Sequence, residues 1–243
     1  MSPIGSGACT AARAPPSLFS RMAKTSLFDF NGVLVNDEPL HCEALIHTLA
    51  EYGIDLDRDT YYRDYLGFDD RECFRYSFSG ANRPSDAASI ADATERKNAA
   101  WERLVKASMP MVPGALDFVR ACASTGHRMA IVSGALRREI ELVLARAGLT
   151  RYFELIIAAE DVTDCKPDPA GFNQARAALK AAPVDCMVIE DSLPGLKAAR
   201  GAGLRCAMLA TSHHAEVLAG ADSVWADFTG RSPADLPWAN GSG

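Results

Sequence analysis

The sequence lacks three features that would each assign the protein to a particular class. No apolar run approaches the roughly 20 residues that a membrane-spanning helix needs. The seven cysteines are scattered and include no Cys-x-x-Cys pair, so neither a disulfide framework nor a zinc site is indicated. Acidic residues outnumber basic ones by 31 to 25, which gives a formal net charge of −6 and no basic footprint for a nucleic acid.

From these absences we expect a cytoplasmic protein with reduced thiols that binds neither membrane nor nucleic acid. Its 243 residues leave room for one large domain or for a core with a smaller module. Hydrophobic residues make up 48% of the chain, which is ordinary for a globular protein. We expect a monomer or a weak dimer.

The two ends of the chain differ in composition from the middle. Residues 1–24 are rich in Ser, Ala, Pro and Gly, contain no acidic residue and lack the apolar region of a secretory signal. We predict a flexible extension here, and a transit-like segment, a disordered segment or a start at Met22 all remain open. Residues 231–243 are predicted to form a flexible tail.

Short apolar strands alternate with helical periodicity over residues 25–36 and 111–230. After a first strand that starts at Ser26, the predicted strands are 128–133, 155–158, 186–190, 204–209 and 223–225. Strand–helix repeats with apolar strands are typical of a parallel sheet that helices cover on both faces. The predicted fold class is α/β, with a doubly wound, Rossmann-like parallel sheet.

Residues 37–110 interrupt this alternation. They contain no good buried strand, whereas the apolar spacing over 38–52 and 85–106 is that of a helix. We therefore predict a helical module inserted into the α/β core.

Polar side chains stand where several of the predicted strands end. Asp29 and Asn31 close the first strand, Ser133 closes another, Glu190-Asp191 closes a third, and Lys166 lies in the loop after a fourth. The carboxyl ends of parallel strands share one edge of the sheet, where such folds bind their ligands. The sequence therefore predicts a single site at that edge.

The residue types at this edge suit phosphoryl transfer to an aspartate. A carboxylate nucleophile such as Asp29 repels a phosphate unless positive charge is supplied. Mg²⁺ held by Asp29 and Asp191, with Glu190 nearby, would supply it. The ammonium of Lys166 and the hydroxyl of Ser133 would bind the oxygens of the transferring group.

At these motifs the chain resembles the haloacid dehalogenase superfamily, over about residues 26–225. The resemblance is to the branch with a helical cap, which includes β-phosphoglucomutase and phosphoglycolate-phosphatase-like enzymes. Four segments are similar to the family motifs: Phe28-Asp-Phe-Asn-Gly-Val-Leu-Val35, Ile131-Val-Ser-Gly134, Lys166-Pro-Asp-Pro and the acidic stretch Glu190 to Ala199.

The resemblance implies a function and further site residues. It implies a Mg²⁺-dependent phosphatase-like hydrolase of a small phosphorylated metabolite, with Asp29 as nucleophile and Gly134 beside Ser133 at the substrate. Residues 66–72 and 96–98 are similar to the family's substrate loop and basic cap helix, which implies that Arg71 and Lys97 contact the substrate. His41 lies where this branch carries a histidine between core and cap.

Asn31 departs from the family pattern, in which a second aspartate protonates the leaving oxygen and then activates water. An amide supplies no such proton, although its backbone carbonyl remains a possible metal ligand, and general acid–base help is worth roughly 10²–10⁴ in rate. Four explanations stay open: a phosphatase that is slow or takes its acid from Asp37 or His41, a dehalogenase-type hydrolase, a catalytically weak sugar-phosphate binder, or an engineered Asp-to-Asn trap of a phosphatase or mutase.

Overall fold

The computed structural model describes residues 23–66 and 68–238. Six parallel strands form one sheet in the order β3-β2-β1-β4-β5-β6. Their bounds are β1 Thr25–Phe28, β2 Arg128–Val132, β3 Leu155–Ile157, β4 Cys186–Glu190, β5 Arg205–Leu209 and β6 Ser223–Trp225. This order confirms the predicted doubly wound α/β fold.

Helices follow the strands and cover both faces of the sheet. Their bounds are α5 Ala115–Ser124, α6 Arg137–Ala147, α7 Ala170–Ala178 and α8 Leu193–Gly201. Along β1, Phe28 packs into the apolar cluster on one face and Leu27 into the cluster on the other. The strands consist mainly of buried apolar residues because helices cover both faces of the sheet.

The first strand marks the point where the order of the sheet reverses. β1 pairs with β2 on one side and with β4 on the other, so that Leu27 lies level with both Ala130 and Val188. The connections from β1 and β3 leave in opposite directions along the sheet. A crevice therefore opens at the carboxyl ends of β1 and β4, which is where such sheets bind ligands.

Helices occupy the segment between β1 and α5. They are α1 Glu38–Glu51, α2 Arg58–Thr60 with a π-helical continuation Tyr61–Tyr65, α3 Asp70–Gly80 and α4 Ala87–Ala107. This helical insertion has an apolar core of its own, built around Leu45, Phe74 and Phe78. Trp101, near the end of α4, belongs instead to the core of the sheet and ties the insertion to it.

The structure differs from the sequence prediction at the end of the chain. Residues 231–238 were predicted as part of a flexible tail, but Leu236 is buried and Trp238 packs against the core of the sheet. The centroid of the Trp238 ring lies 5.4 Å from that of the His127 ring. The packing of Leu236 and Trp238 therefore fixes this segment against the sheet core. The prediction for residues 1–22 and 239–243 lies outside the described residues.

Candidate active site

Asp29 lies directly beyond β1, at the opening of the crevice. Its backbone N–H donates to the carbonyl of Ile189 over 2.9 Å, so the chain still follows β4 at this point. Its side chain is mostly buried but borders a cavity, and one carboxylate oxygen lies 2.6 Å from the ammonium of Lys166. The predicted nucleophile is thus fixed by backbone and side-chain contacts together.

Lys166 joins the loop after β3 to the ends of two central strands. Its ammonium contacts Asp29 and also Glu190, the latter over 2.5 Å. Burial disfavours the charged amine, but the two carboxylates outweigh that effect and hold the pKa of Lys166 above its ordinary value. A permanently charged amine therefore faces the cavity beside Asp29.

Glu190, the last residue of β4, organises the turn into α8. One of its oxygens accepts from the N–H of Asp191 over 3.0 Å, and from the N–H and hydroxyl of Ser192 over 3.1 and 3.0 Å. The hydroxyl of Ser192 accepts in turn from the N–H of Gly195 over 3.1 Å. Ser192 is therefore the N-cap of α8.

Two glycines allow the acidic residues to pack this closely. A Cβ on Gly32 would lie 1.9 Å from a carboxylate oxygen of Asp191, and Gly32 also has a positive φ of 70°. A Cβ on Gly195 would lie 2.0 Å from the carboxylate of Glu190. Any larger side chain at either position would displace an acidic residue of the site.

The acidic side chains form a group suited to a divalent cation. Asp29, Glu190 and Asp191 each place a carboxylate oxygen within 4.8 Å of the others. Burial raises the pKa of Asp29 to about 6, against the opposing charge of Lys166. Burial and then the charges of Asp29 and Glu190 raise the pKa of Asp191 to about 8. Three carboxylates and one lysine leave an excess of negative charge, which fits Mg²⁺.

A cavity of about 990 Å³ separates this edge of the sheet from the helical insertion. Ser133 and Gly134, which follow β2, form part of its floor, and the hydroxyl of Ser133 accepts from the N–H of Ala135 over 3.2 Å. Phe68 and the exposed Arg71 line it from the insertion. Both sides of the cavity therefore carry polar groups that face the same space.

A chain of polar contacts runs from position 31 into the insertion, and we call it the hinge network. The amide of Asn31 donates to Asp37 over 2.8 Å, and the other oxygen of Asp37 lies 3.3 Å from Nε2 of His41. Nδ1 of His41 lies 2.6 Å from Nζ of Lys97, which pairs with Asp70 over 2.7 Å. Asp37 and Lys97 are almost wholly buried, so the network lies in the protein interior and is not a surface contact.

The structure brings most of the predicted site residues to one cavity. Eight of them line it: Asp29, Asn31, His41, Arg71, Lys97, Ser133, Gly134 and Lys166. Glu190 and Asp191 lie just behind, in the acidic group. Arg71 lies on the exposed rim, whereas Lys97 is buried and already engaged by His41 and Asp70.

The sequence reasoning missed two groups of polar contacts. The hydroxyl of Ser212 donates to Asp191, and that of Thr211 donates to the carbonyl of Gly32 over 2.6 Å. Both residues follow β5, so the strand-end rule applied there would have found them. Asp70 carried no signal, because its contact with Lys97 depends on how α3 and α4 pack.

The sheet topology and the lysine–carboxylate group define an α/β enzyme with its site at a topological switch point. A family model for haloacid dehalogenase-like hydrolases matches residues 26–209. The chain therefore belongs to the haloacid dehalogenase-like hydrolases. No helix among the described residues is long and apolar enough to cross a membrane.

Individual relatives agree with this assignment. Validoxylamine A 7'-phosphate phosphatase of Streptomyces hygroscopicus subsp. limoneus is 30% identical over 217 residues, which cover 86% of this chain and 95% of that protein. Hexitol phosphatase B of Escherichia coli (strain K12) is 29% identical over 185 residues, covering 76% and 82%. The crystal structure of CbbY from Rhodobacter sphaeroides in complex with phosphate has a TM-score of 0.77 at 29% identity, covering 88% of this chain and 99% of that one.

Proposed function

We propose that this protein is a Mg²⁺-dependent phosphatase that hydrolyses a small phosphorylated metabolite through an aspartyl phosphate on Asp29. The observation that carries the proposal is the contact of 2.6 Å between Asp29 and Lys166, inside a group of three carboxylates at the edge of the cavity. A nucleophile, a charged amine for phosphoryl oxygens and a cation site then share one position.

The cavity and the relatives support a phosphate ester of a polyhydroxylated compound. Its volume of about 990 Å³ suits a small molecule. Its wall carries Arg71, Arg138 and Glu160 beside apolar groups such as Phe68, which is a suitable lining for hydroxyl and phosphate groups. The names of the two similar phosphatases given above indicate that they act on validoxylamine A 7'-phosphate and on hexitol phosphates.

The reaction would proceed in two displacements at phosphorus. In the first, the carboxylate of Asp29 attacks the phosphoryl group and the electron pair of the ester bond leaves with the alcohol oxygen. In the second, water attacks the phosphorus and the carboxylate of Asp29 is released. Lys166 and Ser133 would bind the phosphoryl oxygens in both steps, where their charge and hydroxyl offset the growing negative charge.

Asp29 and Asp191 would hold the Mg²⁺, with Glu190 behind them and the backbone carbonyl of Asn31 as a further ligand. The ion would neutralise the repulsion between the carboxylate nucleophile and the phosphate dianion. The residues fit this role because burial and mutual repulsion disfavour the ionised forms of Asp29 and Asp191 in the absence of a cation.

The test is the release of phosphate from a panel of phosphorylated sugars, sugar alcohols and an aryl phosphate in the presence of Mg²⁺. We expect turnover of at least one sugar-type phosphate, and turnover of the aryl phosphate whose phenolate departs without a proton. Asn31→Asp is assayed alongside. Tight binding of phosphate esters without turnover of any would overturn the proposal in favour of a binding protein.

A further inference from the structure

The amide of Asn31 cannot give a proton to a leaving oxygen. The hinge network beside it contains groups that can carry one. Asp37 lies 2.8 Å from the amide of Asn31 but is fully buried and does not border the cavity. His41 does border it, together with Asp29 and Asn31. Within this network, His41 is therefore the group that faces a substrate, and an imidazole can both donate and accept a proton.

The contacts of His41 assign its ring proton. Lys97 carries only donors, so its ammonium donates to Nδ1 over 2.6 Å, and Nδ1 must be the unprotonated nitrogen. The ring proton then sits on Nε2, which lies 3.3 Å from an oxygen of Asp37. That oxygen has no well-directed hydrogen bond within the described part of the chain, so the Nε2–H is not committed to it.

The position of the ring is defined on every side. Its plane stacks on Trp101 with ring centroids 5.3 Å apart, while Asp37 and Lys97 address its two nitrogens. Glu139 of α6 is the other charged group that faces it, a buried carboxylate whose own backbone partner is the N–H of Leu136 over 3.3 Å. A histidine that only filled space between core and insertion would not need this set of polar partners.

We propose that His41 is the general acid and base of this enzyme, with Asp37 and Lys97 as positioning residues. The proposal rests on the proposed function, because it assumes phosphoryl transfer to Asp29. In the first displacement the Nε2–H bond breaks and the proton passes to the leaving oxygen, which keeps the electron pair of the ester bond. Lys97 gives a proton to Nδ1, so the imidazole stays neutral with its proton on the other nitrogen.

The second displacement reverses these transfers. Water attacks the phosphorus of the aspartyl phosphate and loses a proton to Nε2, while Nδ1 returns its proton to Lys97. The bond between phosphorus and the carboxylate of Asp29 breaks, and the carboxylate keeps the electron pair. Ester and water become alcohol and phosphate, and every side chain regains its initial proton state.

His41→Ala separates proton transfer from the rest of the chemistry. With Mg²⁺, its turnover of an alkyl phosphate should fall by roughly 10²–10⁴, the usual worth of general acid–base catalysis. The first-turnover burst of phenolate from para-nitrophenyl phosphate should keep the wild-type rate, because that leaving group needs no proton. Added imidazole should restore part of the alkyl activity. His47→Ala, on the exposed side of the same helix, should match wild type.

A second substitution distinguishes an acid from a packing residue. Asn31→Asp should restore alkyl phosphate turnover in the His41→Ala protein by at least tenfold, since it supplies a carboxyl group at the leaving oxygen. Nitrogen NMR of the wild-type protein provides a readout apart from activity, and should show Nδ1 of His41 as the unprotonated nitrogen.

Three results would overturn the proposal. Equal losses of His41→Ala on the alkyl substrate and on the phenolate burst, without imidazole rescue, would mean that His41 only supports the fold. Unchanged alkyl turnover would place the acid elsewhere. A proton on Nδ1 in the NMR spectrum would contradict the assigned contacts. Failure of the proposed function is distinguishable, because wild type itself would then show no phenolate burst.

Discussion

Two groups of buried charges border the cavity, and they differ in how completely they are neutralised. In the acidic group together with Lys166, which we call the core cluster, burial raises the pKa values of Asp29 and Asp191 to about 6 and about 8. In the hinge network, burial acts on Asp37 in the same direction, but the neighbouring imidazole of His41 and the amide of Asn31 outweigh it and hold its pKa below the ordinary value. The core cluster therefore carries negative charge that Lys166 does not balance, whereas the neighbours of the hinge carboxylate favour its charged form.

The contrast suggests a division of labour. A group with unbalanced negative charge at the reacting edge is suited to bind Mg²⁺ and a phosphate together. A group whose hinge carboxylate is favoured in its charged form is suited to hold side chains in place and to pass protons. Substitutions in the two groups should therefore differ in their effects on activity and stability, and in how those effects depend on pH.

The largest effect is expected for Asp29→Asn. The change keeps the size of the side chain but removes the nucleophile, so phosphate release should fall by a factor on the order of 10⁶, as for loss of a covalent nucleophile elsewhere. Phosphate release and thermal unfolding measured on the same preparations check this. Asp117→Asn, at an exposed position on α5, is the matched control and should behave as wild type. Near-normal turnover of a folded Asp29→Asn protein would exclude Asp29 as the nucleophile.

Mg²⁺ should be required for activity and should stabilise the fold in a pH-dependent way. Because the pKa values of Asp29 and Asp191 are raised, the metal-free protein loses stability as the pH rises from about 4 toward 8. Mg²⁺ binds the ionised carboxylates, so its effect on Tm should be larger near pH 8 than near pH 5. At 100 times its Kd the stabilisation would be about 2.7 kcal/mol.

Thermal melts with Mg²⁺ and with EDTA at the two pH values check this prediction. Activity that survives EDTA undiminished would contradict the metal requirement and favour the hypothesis of a dehalogenase-type hydrolase. A Tm shift that is larger at the acidic pH would show that the acidic group does not behave as an incomplete cation site.

Asp37→Asn should have the opposite pH signature. A lowered pKa means that Asp37 stabilises the fold above its unfolded pKa of 3.8, and that this contribution is lost as the pH falls through the lowered value. At neutral pH the variant should lose about 1–3 kcal/mol, because a buried hydrogen-bonded charge is removed. The difference from wild type should shrink below about pH 4.

Urea unfolding of wild type, Asp37→Asn and the exposed control Asp59→Asn at neutral and acidic pH checks this sign. A loss of stability that does not depend on pH would mean that Asp37 acts through packing alone, and the comparison between the two groups would fail.

The smallest effect is expected at the rim of the cavity. Arg71 is exposed, so Arg71→Ala should raise KM for a sugar-type phosphate by less than about tenfold, the equivalent of 1.4 kcal/mol, and leave kcat unchanged. Arg75→Ala, exposed on the same helix but outside the cavity lining, is the control. Equal changes on a small aryl phosphate would show that Arg71 supports the core site instead.

The core cluster was predictable from sequence because the strand that each residue follows determines where that residue lies. A carboxylate after an apolar strand lies at one edge of the sheet whatever the rest of the chain does, which places Asp29 and Asp191 correctly. Lys166 follows the same rule from a loop. Ser212, which follows β5 and donates to Asp191, obeys it too.

The hinge network was predictable only in part. The sequence named Asp37 and His41 as possible sources of a proton, and the two are one helical turn apart. Their link to Lys97 spans 56 positions and depends on how α1 packs against α4, which no periodicity reveals. Helix α3 was missed because Phe74 and Phe78, the residues that it buries, stand in an otherwise polar segment.

The most direct test of the central claim is to trap the phosphorylated enzyme. Acid quenching during turnover of a labelled phosphate ester with Mg²⁺, followed by peptide mass spectrometry, should find the phosphoryl group on Asp29, in a linkage that hydroxylamine cleaves. The same experiment on Asp29→Asn should find none. Steady release of phosphate with no phosphorylated Asp29, or with the label on another residue, would contradict the account.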